Sequence, residues 1–212
     1  MGNFLELFLQ QSITFFAILD PIGVSALMLS LMHSSVTKSQ MNKVAYRATI
    51  TIIVAFFVVL IGGTFILQLF GINENSLKVM GGIVLILMAI NMVQGSKQSK
   101  KPSKEEDEEH KEQEDLSVIP IGIPITFGPG IFTTIIIYKQ QAQSFSELLA
   151  IILAFFLNAL IIYLTFKNSI YIKQFLGLTG QNIITKLMGL IVGAIAVQFI
   201  VSGTIQLAKL YL

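Results

Sequence analysis

Residues 15–31 read FFAILDPIGVSALMLSL. The run is apolar almost throughout, yet Asp20, Pro21 and Gly23 stand near its middle. A carboxylate in hydrocarbon is costly and is retained where it has work to do. Proline removes a helix hydrogen bond and clashes with the preceding turn. In lipid the freed carbonyls must find partners inside the protein. The stretch therefore predicts a membrane span, residues 4–31, that is interrupted and restarts at Asp20. Aspartate is a good helix N-cap and proline suits the first helical position, so Asp20–Pro21 has the form of a new helix start.

The rest of the chain supports a membrane setting. Of 212 residues, 54% are hydrophobic and 12% are charged, about half the charged share of a soluble domain. Several runs reach the roughly 20 residues needed to cross a bilayer as helix. The ten-residue alternation of barrel strands is absent. Six spans are predicted, at 4–31, 44–69, 77–95, 117–138, 148–166 and 183–207. The first ten residues contain Glu6 and no Lys or Arg, so no cleaved leader is expected. There is no cysteine, which removes disulfides and thiolate metal sites, and His33 and His110 fall outside the apolar runs. No metal, cofactor or nucleic-acid partner is expected, and no stretch fits a phosphate-binding GxxxxGK[ST] loop.

Residues 96–115, SKQSKKPSKEEDEEHKEQED, hold five lysines and eight acids and have nothing to bury. They read as a charged linker between two halves, 1–95 and 116–212. The halves resemble each other at an offset of 108 residues. Pro21 falls on Pro129, Lys78 on Lys186, Met80 on Met188, Gly81 on Gly189, Ile83 on Ile191, Val84 on Val192 and Gly95 on Gly203. Three spans per half force the copies into opposite orientations, an inverted-topology repeat of the kind secondary transporters use. With the N-terminus outside, eleven Lys and Arg lie in cytoplasmic connections and three outside. By the positive-inside bias both termini are then external and the linker is cytoplasmic.

The fourth span, VIPIGIPITFGPGIFTTIIIY, carries Pro120, Pro124 and Pro129. Gly128–Pro129 repeats the arrangement of Asp20–Pro21 without a side chain at the cap. Spans one and four are thus both expected to break near mid-membrane, each presenting free amides and a partial positive charge. A zwitterion fits the pair: its carboxylate on the amides near Gly130, its ammonium facing Asp20. Ser25, Thr133 and Thr134 lie within two turns of the breaks and offer hydroxyls. The simpler alternatives are that Asp20 only caps its own helix and that the hydroxyls bond back to their own carbonyls. Asn91, Asn158 and Gln198 are polar residues within apolar runs, expected to face the bundle and bond between helices. Gly62, Gly63, Gly81, Gly82, Gly189 and Gly193 are expected at close helix contacts.

DPIG followed by ALMLSL, paired with IPITFGPGIFTT about a hundred residues later, resembles the MarC family of bacterial inner-membrane proteins, also described as small neutral amino-acid transporters. The resemblance runs from about residue 4 to 207. Its motifs fall on Asp20, Pro21 and Gly23, and on Pro124, Gly128, Pro129, Gly130, Thr133 and Thr134. It implies six spans and, for some members, glycine or alanine-like substrates. The expectation is a secondary transporter with its site between the two breaks and Asp20 as candidate proton carrier. Competing readings are an exporter of another small metabolite and a channel or structural membrane protein. An enzyme is not expected, since a single deep carboxylate and no embedded histidine supply no catalytic pair.

Overall fold

The computed structural model describes residues 4–32, 37–95 and 121–212. The linker 96–115, Pro120, His33 and His110 lie outside the described residues. Every described element is helical: α1 (Phe4–Leu19), α2 (Pro21–Leu31), α3 (Lys38–Leu69), α4 (Glu74–Gln94), a π-helical turn (Ile121–Thr126), α5 (Pro129–Gln141), α6 (Phe145–Lys167) and α7 (Ser169–Tyr211). Among the described residues, five stretches are long and apolar enough to cross a membrane, with α1 and α2 counting as one. The fourth predicted span is represented by the π turn and the 13 residues of α5.

Local signals account for the helix ends. Thr37 and Gln40 form a reciprocal capping box that starts α3 six residues before the expected 44. Asn73 and Ser144 cap α4 and α6 through their side chains. The last helix begins at Ser169, well before the expected 183. Its first turns form a separately directed piece, because Gly177 takes φ 61 and ψ 179 and bends the axis there. Only glycine adopts that region freely.

The most extensive helix pair is α4 with α7, followed by α1 with α6 and α3 with α6. Small residues let α4 and α7 approach. A Cβ on Gly82 would stand 2.6 Å from Ile200 Cγ1 and 2.7 Å from the Ala196 carbonyl, and one on Gly189 would stand 2.8 Å from Met92 Cβ. Gly63 packs on Ile136 and Gly81 on Thr133 in the same way. Two of the six glycines depart from expectation: Gly62 meets nothing within 4 Å, and Gly193 has only an ordinary 3.5 Å contact with Ala89. Aromatic rings fill the centre. Phe155 stacks on Phe56 at 4.0 Å and meets Phe15 edge-on at 5.5 Å and Phe127 at 6.4 Å. The outside is apolar instead of charged, with Ile61, Phe65, Leu87 and Leu190 all exposed. That inversion suits a lipid solvent.

Candidate functional site

Asp20 is the one non-glycine residue with positive φ among the described residues, at φ 39 and ψ 63. Left-handed backbone strains most side chains, and aspartate is among the few that visit it. The conformation ends α1 at Leu19 and lets α2 restart at Pro21, whose missing N–H is no loss at that position. Asp20 Oδ1 accepts from the Gly23 amide at 3.2 Å, so the residue caps α2. The same oxygen accepts from Thr185 Oγ1 on α7 at 3.4 Å. The side chain is buried, and what it accepts is one amide and one hydroxyl, with no cation among them. Gly23 leaves room for this arrangement, since a Cβ there would overlap Asp20 Oδ2 and stand 2.6 Å from Thr185 Oγ1.

The second restart differs. Gly128 has extended backbone and caps α5 without a side-chain bond, and Pro129 opens the helix. Phe132 N donates to the Gly128 carbonyl at 3.2 Å. Gly128 is half-buried and Pro129 exposed, whereas Gly130 is enclosed. A Cβ on Gly130 would stand 2.7 Å from Met88 Sδ, 2.8 Å from Leu85 Cδ2 and 3.4 Å from Ile18 Cγ2. The first turn of α5 is therefore in contact with the last turn of α1, close to where Asp20 interrupts the helix.

The hydroxyls follow the simpler expectation. Ser25 donates to the Ile22 carbonyl at 2.7 Å, Thr133 to the Pro129 and Gly130 carbonyls at 3.0 and 3.1 Å, and Thr134 to Gly130 at 2.8 Å. All three are buried. These bonds relieve carbonyls near each restart and leave the hydroxyl oxygens as acceptors. Of the three deeper polar residues, Asn158 alone faces inward, donating to the Ser12 carbonyl of α1 at 3.0 Å. Asn91 and Gln198 are exposed, which corrects the expectation for both. Each lies two residues, or about 200° of helix rotation, beyond a buried alanine, Ala89 or Ala196, and so off the inward stripe.

Sequence reasoning missed two residues on α7. Thr185 bonds Asp20, and Gln181, one turn earlier, is 2% exposed with neither amide atom partnered. The signal available was a polar pair at i and i+4 at the head of the last apolar run, which puts both on one helix face.

The model of the family described as "MarC family integral membrane protein" matches residues 5–208. This chain belongs to the MarC family. It is similar to a UPF0056 membrane protein of Aquifex aeolicus, 31% identical over 99% of this chain and 97% of the relative. It is 32% identical to the UPF0056 membrane protein YhcE of Escherichia coli over 89% of this chain and 87% of that protein. With the UPF0056 membrane protein YvbG of Bacillus subtilis it shares 34% identity over 90% of each chain. No solved structure matches it. Family membership and the apolar helices together make this MarC protein a multi-pass integral membrane protein.

Proposed function

We propose that this MarC protein is a secondary transporter of small neutral amino acids in the inner membrane, with its substrate site at the two helix restarts. The observation that carries the reading is Asp20: a buried carboxylate with no cationic partner among the described residues, held in a left-handed break beside the first turn of α5. A buried charge left alone is strongly unfavourable, so the group calls for an ammonium or a proton. A zwitterion supplies the ammonium, and its carboxylate suits the uncapped start of α5 near Gly128 and Gly130. Thr185 orients the carboxylate, while Ser25, Thr133 and Thr134 turn acceptor oxygens to the surroundings of the breaks. Close packing at Gly23 and Gly130 favours the smallest side chains, as in glycine or alanine. Alternate binding of substrate and a proton at Asp20 would couple uptake to the proton gradient.

An inverted repeat of 1–95 and 116–212 is part of the proposal. The pairing plan supports it: the third span packs on the sixth, the second on the fifth, and α2 lies on α7 much as α5 lies on α4. Both half-helices then end near mid-membrane with their tips toward a shared axis. Positive-inside bias puts both termini outside and the linker 96–115 in the cytoplasm. The chain has no cysteine, so Ser144→Cys is a clean probe. It should react with an impermeant maleimide added outside cells; reaction only in inverted vesicles reverses the orientation.

The substrate reading is tested by thermal unfolding of the purified full chain at fixed salt. Glycine and alanine should raise the midpoint saturably by mass action, acetate and leucine should not, and Asp20→Asn should abolish the rise. A wild-type midpoint indifferent to every small amino acid, or an equal rise in Asp20→Asn, contradicts it.

A further inference from the structure

A second polar group lies on the α1–α6 contact, away from the breaks. Asn158 is 1% exposed, Gln11 7% and Ser12 8%. Asn158 Nδ2 donates to the Ser12 carbonyl at 3.0 Å and to the Ala154 carbonyl at 2.9 Å. Two backbone acceptors fix the orientation of the amide, nitrogen into the helix backbones and oxygen away from them. Among the described residues that oxygen, Asn158 Oδ1, has no partner, and neither do Ser12 Oγ and Gln11 Oε1. Burying an acceptor without a donor forfeits the hydrogen bonds it makes in water. An apolar side chain at these positions would avoid that loss, so plain helix packing does not account for them.

The unpartnered atoms of this group are all oxygens, and one of the three residues borders a cleft. Gln11 also lines a cleft of about 100 Å³ with Gln10, Tyr138, Gln141 and Glu147. Among the described residues Glu147 is the only charged one in that lining. An acidic cleft beside neutral buried oxygens concentrates positive charge near them. Neutral oxygen ligands suit a singly charged hard ion, whereas divalent ions are held through carboxylates.

We infer that Ser12 and Asn158, reached past Gln11 from the cleft at Glu147, bind a small monovalent cation: an alkali ion or a primary ammonium group. The site does not depend on the amino-acid reading, because it is separate from Asp20 and is assayed without amino acid. Ser12 precedes Asp20 by eight residues, roughly 12 Å along α1 at the helical rise. A cation bound there would secure α1 on α6 just ahead of the break.

The test is thermal unfolding of the purified full chain at constant ionic strength. N-methyl-D-glucamine chloride is exchanged for sodium, potassium or methylammonium chloride. At least one of the three should raise the midpoint saturably. A response to an alkali salt identifies a free ion as the ligand, and a response to methylammonium alone identifies an ammonium headgroup. Ser12→Ala and Asn158→Leu should each raise the half-saturating concentration about tenfold, the equivalent of one lost ligand bond, and Glu147→Gln should weaken binding less. Should Asn158→Leu fail to fold, Ser12→Ala carries the comparison. A wild-type midpoint flat in all three salts, the result if only water fills the site, overturns the inference. So does an unchanged response in both variants.

Discussion

At the scale of the residue, Asp20 joins three demands in one side chain. Its backbone occupies the left-handed region, its Oδ1 caps α2 through Gly23, and the same oxygen receives Thr185. Asparagine meets the first two, since it tolerates left-handed backbone and keeps a cap oxygen. Valine meets none, because its branched Cβ clashes there. We therefore expect Asp20→Asn to unfold within about 1 kcal/mol of wild type, and Asp20→Val to lose about 2–4 kcal/mol from strain and cap together. Chemical denaturation in detergent measures both; an Asp20→Val protein as stable as Asp20→Asn would deny the strained cap. The cap was legible from Asp20–Pro21 because capping is local chemistry. Thr185 was not, since its meeting with Asp20 depends on how α7 is rotated against α2. The azimuth of a helix follows from packing all its neighbours at once, which also explains why Asn91 and Gln198 turn outward.

At the scale of the element, two kinds of glycine do different work. Gly82 lets α4 reach α7, where a side chain would press on Ile200 and on the Ala196 carbonyl. Backbone cannot step aside as a flexible side chain can. Gly82→Val should destabilise the protein by about 1–3 kcal/mol through overpacking. Gly62→Ala should be neutral or stabilising by up to about 1 kcal/mol, since its site is open and alanine is the better helix former. Unfolding midpoints of the two variants decide it; equal losses would mean that α4–α7 contact does not set stability. Which helices exist was readable from apolar run length; their starts were not, since Thr37, Asn73 and Ser144 begin α3, α4 and α6 ahead of the expected 44, 77 and 148. The bend at Gly177 was not readable. A single glycine in an apolar run serves equally as a contact point or a hinge, and only its φ of 61 separates the two.

At the scale of the whole molecule, the chain places an acid that meets no cation among the described residues inside an apolar bundle of aromatic and aliphatic packing. Phe15 and Phe127, on the elements that lead to the two restarts, pack closed against Phe155 of α6. A carrier needs such closure; a channel needs a continuous polar lining. Which spans pair, three with six and two with five, was not read from the offset of 108 residues and emerges from the packing. The buried oxygens of Gln11, Ser12 and Asn158 were visible only once α1 lay on α6. The central claim is that Asp20 binds and moves a small zwitterion. Its most direct test is counterflow of labelled glycine into proteoliposomes preloaded with unlabelled glycine, wild type beside Asp20→Asn. The account predicts a saturable overshoot for wild type and none for the variant; flux that never saturates, or an undiminished overshoot with Asp20→Asn, contradicts it.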